Sequence, residues 1–346
     1  MTPQERYDRA VTLALQTLQF SASERIRIRN IIAGMTTSIT KRIALYNLQG
    51  ISKRDLNALI KAVEGYVDGA MNNAHDDETF AQFWQLMAVQ TARNDDPDAS
   101  PNNFPVIPLG TIGTLLIQGA TIAAWRLRAR QSMKFRITAA IRQGVANGET
   151  AREVIARIVG TQGLRNVQIV RPGDAVLPTA AGVPSAFSAG VIPRIVRDND
   201  ALIYTTLQSV LMDAKLSAYR RNRAKLRGIQ QISILDGNTT KICIAYSNAT
   251  WTVDLKPLAP NKLPFNGGVP RHFGCRSTIV EIAKGNKSVQ TQSFAEWLRT
   301  QPGEFQTSIL GPGRAQMWRD GKITLAQLVS GDGAPLTLPE LRALYP

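Results

Sequence analysis

Histidine and cysteine are almost absent from this sequence, whose 346 residues include two of each. Two cysteines are too few for the disulfide framework of a small secreted domain. With His75 and His272 as the only imidazoles, many acid–base and nucleophilic schemes lack material. The chain also lacks the G-x-x-x-x-G-K-[ST], G-x-S-x-G and H-E-x-x-H motifs of phosphate binding, serine hydrolysis and zinc proteolysis. We therefore expect a protein that is not an enzyme.

A long uninterrupted apolar segment is also missing. Residues 101–125 carry no charge and are followed by three arginines in 126–130, which superficially resembles a membrane span. Pro105, Pro108 and two glycines break the first half, and the remaining TLLIQGATIAAW is shorter than the roughly 20 residues that a bilayer requires. The N-terminus, MTPQERYDRAV, has acidic residues and no apolar signal region. We expect no membrane contact and synthesis in a reducing cytoplasm.

Positive charge is plentiful and unevenly distributed, with a net charge of +15. Residues 1–100 carry 11 Lys and Arg against 12 Asp and Glu, whereas residues 101–200 carry 12 against 5 and residues 201–346 carry 18 against 9. A basic body favours nucleic acid or an acidic protein surface as partner, and a merely soluble arginine-rich surface is the alternative. The neutral first third indicates contacts with protein rather than with DNA.

Two groups of basic residues are candidates for such contacts. The first group follows a predicted helix at a spacing of four residues, which puts its members on one face. The second group is a cluster at the end of a later helix. The first group is Arg126, Arg130 and Lys134, and the second is Arg220, Arg221, Arg223, Lys225 and Arg227. Either group can contact phosphates or an acidic protein face, and a solvated helix surface is the structural alternative.

Hydrophobic periodicity and turn residues divide the chain into five segments. We predict an α+β protein, mainly helical in its N-terminal and central regions, with a small β-rich core near 230–285 and short C-terminal helices. The segments are a helical domain at 1–93, a linker at 94–111, long helices at 112–228 with an extended arm at about 160–193, a β-rich Cys/His core at 229–290 and a helical tail at 291–346. One long helix is expected over 112–147.

Capping boxes predict where several helices begin, because a Ser or Thr followed three residues later by an acid satisfies free backbone N–H groups. These pairs are Thr2 and Glu5, Ser21 and Glu24, Ser52 and Asp55, Thr150 and Glu153, and Thr337 and Glu340. From residue 232 on, the segments ISILDG, CIAYS, TWTVDL and STIVEI are rich in β-branched residues and predict short strands.

Cys243, His272 and Cys275 form a candidate metal site, because two thiolates and an imidazole are sound zinc ligands. Cys243 is expected on or beside a strand, and His272 and Cys275 lie in the loop GGVPRHFGCRSTIV. Asp236, Asp254 or water can supply a fourth ligand. A packed turn with buried cysteines is the structural alternative. Two further alternatives are a disulfide under oxidising conditions and a Cys275 thiolate with His272 as its base.

The segments IRQGVANGETAREVIARIV, LDGNTTKIC and VPRHFGCRSTIV follow one another in this order along the chain. Their order resembles the phage head-morphogenesis family, the minor head proteins of the phage Mu F type. That family commonly has an Asp-x-x-Thr segment that runs into a Cys, and later Pro-x-His-x-x-Cys-Arg-Cys. The resemblance covers roughly residues 110–345. Thr240 and Ser277 stand at positions where the family commonly has further cysteines.

The resemblance implies a structural role in head morphogenesis and in DNA packaging or ejection. It implies location in the virion, in the head interior or neck, with a few copies around the portal. The implied partners are the portal protein or the major capsid protein, and double-stranded DNA. The alternative from the residues alone is a thiol- or metal-dependent hydrolase or transferase centred on His272 and Cys275.

Overall fold

The computed structural model describes residues 2–74, 77–163, 190–234, 237–285 and 294–346. Helices dominate these residues, and antiparallel strands form two small sheets, which confirms the predicted α+β, mainly helical fold class. Most of the arm predicted at about 160–193 lies outside the described residues. None of the described helices is both long enough and apolar enough to cross a bilayer.

The helices and strands alternate irregularly along the chain. The α-helices are α1 (Pro3–Ala44), α2 (Lys53–Ala74), α3 (Asp77–Ala92), α4 (Leu109–Thr114), α5 (Ile122–Ala146), α6 (Ala151–Gly163), α7 (Ile192–Arg221), α8 (Lys241–Ala245), α9 (Phe294–Arg299), α10 (Gly303–Leu310), α11 (Pro312–Arg319) and α12 (Leu338–Leu344). The strands are β1 (Leu116–Ile117), β2 (Ala120–Thr121), β3 (Leu226–Ile232), β4 (Thr250–Trp251) and β5 (Thr278–Ala283). Short 3₁₀ helices cover Pro101–Asn103 and Leu325–Leu328.

The chain forms two compact units. Unit 1 contains Met1–Gln19, Glu78–Thr121 and Thr205–Pro346, and unit 2 contains Phe20–Asp77 and Ile122–Tyr204. The boundary between the units falls at residues 19 and 20, inside the continuous 42-residue helix α1, so the two parts of α1 are assigned to different units. The units therefore differ from the segments drawn from the sequence, where residues 1–93 stand as one helical domain.

Unit 2 is a helical array whose core comes from periodic isoleucines. In α1, four isoleucines at helical spacing are almost completely buried. Helix α5 packs against α2 and α6, which contribute further β-branched residues. The buried isoleucines of α1 are Ile28, Ile32, Ile39 and Ile43, and those of α5 are Ile122, Ile137 and Ile141.

Unit 1 is built around the antiparallel sheet β4–β3–β5. Strand β3 pairs with β5 along most of its length and with β4 at Ile229 and Gln230. A Cβ atom on Gly228 would lie 2.2 Å from the carbonyl oxygen of Trp251, so the approach of β3 to β4 requires glycine there. The C-terminal helices contribute to the same hydrophobic core as the sheet, which places the Cys/His segments beside a packed core.

Four of the five predicted capping boxes are confirmed, since the hydroxyl accepts the later backbone N–H and the acid accepts the earlier one or the hydroxyl. They are Thr2 with Glu5, Ser52 with Asp55, Thr150 with Glu153, and Thr337 with Glu340. The helix start predicted at Ser21 and Glu24 is wrong, because both residues lie inside α1. The Glu24 carboxylate instead pairs with Arg27, 2.9 Å away.

The predicted helix over 112–147 is also wrong in its first third. Helix α4 ends at Thr114, a hairpin of β1 and β2 follows, and α5 begins at Ile122. Gln118 and Gly119 form the hairpin turn with φ of 49° and 77°, the left-handed pair that a two-residue turn needs. A Gly at the second turn position breaks an otherwise apolar, helix-like sequence.

The strand predicted for CIAYS is a short helix. Thr240 precedes the first residue of α8, and Ile244 N–H donates to the Thr240 carbonyl at 2.9 Å. Cys243 therefore lies on a helical turn rather than on a strand. Ile242 and Ile244 favour strand by their side chains, but in a segment of five residues the surrounding core decides the conformation.

Candidate functional site

The structure brings the three rare soft side chains together within unit 1. Cys243 Sγ lies 3.2 Å from His272 Nε2 and 3.6 Å from Cys275 Sγ. The three ligand atoms all lie within 4.8 Å of one another. Both thiols are free, so the disulfide weighed from the sequence is not formed. Among the described Cys, His, Asp and Glu residues, this is the group whose geometry can hold a metal ion.

A tight turn places His272 and Cys275 on the same side of their loop. The Cys275 N–H donates to the His272 carbonyl at 3.1 Å, and Gly274 takes a φ of 72° inside the turn. An extended backbone would separate side chains three residues apart, whereas this turn brings them together. The glycine is required because a residue with a side chain would be strained at that φ.

His272 is oriented for ligation through Nε2. Its Nδ1 lies 2.9 Å from the carbonyl oxygen of Phe273, which can only accept, so Nδ1 carries the proton. In the neutral imidazole, Nε2 then has its lone pair toward the two sulfur atoms. Metal-binding histidines commonly fix their second nitrogen on a carbonyl or carboxylate in this way.

The two thiols have opposite acidities. The hydrogen bond with Cys243 and then contact with His272 lower the pKa of Cys275 well below that of a free thiol, although burial opposes this shift. The same thiol–thiol hydrogen bond, together with burial, raises the pKa of Cys243. Burial lowers the pKa of His272, but its hydrogen bond to Cys275 and the charge of that thiolate outweigh burial and raise it. The cluster thus already favours one thiolate.

Two hydroxyls complete the surroundings of Cys243. The hydroxyls of Thr240 and Ser277 lie beside the Cys243 thiol and act to lower its pKa, against the larger effects of Cys275 and burial. A cavity of about 20 Å³ is bordered by Thr240, Cys243, His272 and Ser277, which is room for about one water molecule. Thr240 and Ser277 therefore lie at the cluster and contribute oxygen rather than sulfur.

Asp254, Asp236 and water are the candidates for a fourth ligand that the sequence offers. Asp254 is largely exposed and forms an ion pair with Arg223 at 3.3 Å, and it does not belong to the Cys/His group. Asp236 lies outside the described residues. A water in the small cavity, held by the two hydroxyls, is the fourth ligand that the geometry accommodates.

Arg271 is a structural residue of this loop that the sequence analysis missed. Its buried guanidinium lies 3.4 Å from the centre of the Tyr246 ring, and Nε donates to Gln231 Oε1 at 2.7 Å. A second guanidinium nitrogen donates to the Phe265 carbonyl at 3.2 Å. Burial lowers the pKa of Arg271 to about 10. An arginine in a glycine-rich loop suggests surface charge, and the aromatic partners are far away in sequence.

The first basic group is engaged within unit 2. Arg126 lies 2.6 Å from Asp77, and Lys134 lies 2.6 Å from Asp68. Arg130 donates to Asn72 at 2.7 Å. These contacts connect helices of the same unit, and the nearby carboxylates compensate much of the positive charge of Arg126, Arg130 and Lys134.

The second basic group lies on the surface of unit 1, and all five of its side chains are exposed. Arg221 stacks over Phe104 with 5.5 Å to the ring centre, and Lys225 donates to the Asp95 carbonyl. The Arg223–Asp254 pair has side chains that are 65% and 61% exposed, so it is readily exchanged for another anion. This cluster, Arg220–Arg227, is the more accessible of the two predicted groups.

Comparison with protein-family models, with curated proteins and with solved structures found no match for this chain.

Proposed function

We propose that the chain is a structural minor head protein of a tailed bacteriophage. In this role it associates with the portal or major capsid protein, lies beside packaged double-stranded DNA in the head interior or neck, and acts in head morphogenesis and in DNA packaging or ejection. The observation that carries the proposal is the convergence of Thr240, Cys243, His272, Cys275 and Ser277 on one site. Cys243, His272 and Cys275 match the pattern of the resembled family, whereas Thr240 and Ser277 stand where that family commonly has further cysteines. The meeting of these five residues supports reading the two segments as one functional unit.

The proposed ion at this site is zinc, in a structural role. Two thiolates and one imidazole suit zinc, and a site that is almost closed to solvent suits a structural ion. Cys243 and Cys275 are 2% and 0% exposed. Such an ion would join the short α8 to the loop before β5, which are far apart in sequence.

The proposed DNA contact is the Arg220–Arg227 cluster. Its exposed side chains can each neutralise a phosphate, which predicts binding that is independent of base sequence and weakens with salt. Arg126, Arg130 and Lys134 are proposed mainly as ties within unit 2, because their charges are paired with Asp77 and Asp68. The alternative for the cluster is an acidic face of the portal protein.

Co-expression with the portal protein of the same phage tests the main proposal. Size-exclusion chromatography with mass measurement should show a stable complex that contains several copies of this chain. The double variant Arg220→Glu/Arg223→Glu should keep that complex while it loses affinity for duplex DNA. If the chain elutes separately after mixing with each of the portal, prohead and capsid preparations, the minor head role is refuted.

The enzymatic alternative rests on the lowered pKa of Cys275 beside His272. A thiolate nucleophile must reach its substrate, and the Cys275 side chain is completely buried. Iodoacetamide labelling of the metal-free protein separates the two readings. Rapid modification of Cys275 in the folded chain would favour the enzyme, and slow modification that requires unfolding would favour the structural role.

A further inference from the structure

Unit 1 contains a groove of about 630 Å³ that lies apart from the Cys/His site and shares Arg227 with the basic cluster. Its walls come from residues 245–250 after α8, from the loop 258–263 and from residues 326–331 around the second 3₁₀ helix. This volume lies within the usual range for ligand sites. Its size suits a short peptide segment or a small molecule rather than a large folded surface.

The charge of the groove has one sign. Among the described residues that line it, Arg227 and Lys262 are the charged ones, and both are exposed. They come from β3 and from the loop 258–263, so they approach the groove from different segments. None of the described residues that line the groove is acidic, so the two positive charges make it complementary to an anionic occupant.

The surface of the groove between these cations is partly apolar, and hydrogen bonds hold one of its walls in place. Leu258, Leu263 and Val329 contribute apolar surface. The Asn261 side-chain amide donates to the Thr250 carbonyl at 2.8 Å and also to the Leu263 carbonyl at 3.3 Å, which fixes the loop 258–263. A fixed wall reduces the entropy lost on binding. The groove therefore offers apolar contacts between two separated positive charges.

Strand addition does not explain the groove, because the edge of β4 is already occupied by its own chain. Thr252 N–H donates to the Lys256 carbonyl at 2.8 Å, and Leu258 N–H donates to the Thr250 carbonyl at 3.0 Å. An occupant must be recognised by side chains instead. Duplex DNA is too wide to enter, so its phosphates would reach only the rim, and the apolar floor would stay uncovered.

We propose that this groove binds a short acidic peptide segment of a partner protein, with carboxylates at Arg227 and Lys262 and apolar side chains on the floor between them. The site is separate from the proposed metal site. The proposal holds whether or not the partner is a head protein, so its failure would leave the proposed function standing.

Selection from a random dodecapeptide display library on the immobilised full-length chain tests this proposal. The selected peptides should be enriched in Asp and Glu around one or two apolar residues. In fluorescence polarisation, Lys262→Glu should weaken binding of a selected peptide by about tenfold or more, since the contact is charge-assisted. Ala326→Trp should abolish binding by filling the groove, because Ala326 lies on its wall and is exposed.

Lys322→Glu is the matched control, because Lys322 is exposed in the same unit and does not line the groove. It should bind the peptide like the wild type, and circular dichroism should show equal folding for all variants. Arg220→Glu should weaken DNA binding without affecting the peptide, and Lys262→Glu should do the reverse.

Three results would overturn the proposal. Selected peptides without acidic enrichment would contradict it, and so would peptides that bind Ala326→Trp as tightly as the wild type. Displacement of the peptide by micromolar ATP would instead assign the groove to a small anionic ligand. Protection of 245–263 and 326–331 from hydrogen exchange by the peptide would support the proposed location.

Discussion

Replacing Arg6 with alanine should destabilise unit 1 by about 3 kcal/mol, because this side chain neutralises two buried carboxylates. Arg6 lies 2.5 Å from Asp95 and 3.1 Å from Glu281. The side chains of Arg6, Asp95 and Glu281 are 5%, 7% and 1% exposed. Burial lowers the pKa of Arg6, but its contacts with the two carboxylates outweigh burial and raise it, so the charged form is favoured.

The expected loss of unfolding free energy depends on which contacts the two carboxylates keep when Arg6 is removed. Removing one partner of a buried ion pair generally costs about 3–5 kcal/mol, since a charge is left without compensation. Glu281 keeps the hydrogen bond from Asn94 and the nearby positive charge of Lys215, which reduces its share of the loss. The lower end of the range is therefore expected. For a unit of about 200 residues, 3 kcal/mol lowers the melting temperature by roughly 6–12 °C.

Urea unfolding followed by tryptophan fluorescence measures this change. Of the five tryptophans only Trp125 lies in unit 2, so the background variant Trp125→Phe makes the signal specific for unit 1. Arg9→Ala is the matched control, because Arg9 lies one turn further along α1 and has no ion pair among the described residues. Glu281→Gln in the Arg6→Ala background should recover part of the loss, because it removes a buried charge.

The reasoning would be refuted if Arg6→Ala cost no more than Arg9→Ala, or if Glu281→Gln failed to recover stability in the double variant. Either result would mean that water reaches the carboxylates or that residues 1–19 do not pack in unit 1.

Three further predictions concern protonation, metal and DNA. Burial lowers the pKa of Lys215 to about 8, so the cost of burying its charge is complete below pH 8 and decreases above it. Between pH 8 and 10 the free energy of unfolding of the wild type in urea should rise by about 2 kcal/mol relative to Lys215→Met, and a difference that does not change with pH would contradict this. Ser277→Cys should raise zinc affinity by about tenfold or more in chelator competition, because a thiolate joins the ligand set, whereas Ser277→Ala should leave zinc bound. Arg220→Glu/Arg227→Glu should lower the slope of log K against log salt for duplex DNA by about 2, and an unchanged slope would remove these residues from the interface.

The helices that the sequence predicts best are those that carry both periodicity and a cap. Isoleucines at helical spacing give the core face of α1, and the pairs at Ser52 and Thr150 give the starts of α2 and α6. The pair at Ser21 fails because a capping box stabilises a helix end only where the chain also leaves the helix. Nothing between Phe20 and Glu24 interrupts α1, since no Gly or Pro lies there.

The sequence predicts which residues form the candidate metal site, but it does not predict their geometry. Rarity and spacing single out Cys243, His272 and Cys275, but a span of 28 residues between the first two does not determine their distance. The turn at Gly274 and the stacking of Arg271 on Tyr246 place the loop, and both depend on tertiary packing. The groove at 245–263 and 326–331 was missed because its three walls have no common sequence pattern.

The metal site and the groove share their supports, which predicts that removal of the metal weakens peptide binding. Helix α8 carries Cys243 and leads directly into the groove wall at 245–250. A helix of five residues has little stability of its own, so it depends on what holds it. Dialysis against a chelator should therefore weaken binding of a selected acidic peptide and leave the slope of DNA binding unchanged. Equal peptide affinity with and without metal would show that the core packing around Trp251 holds the groove wall by itself.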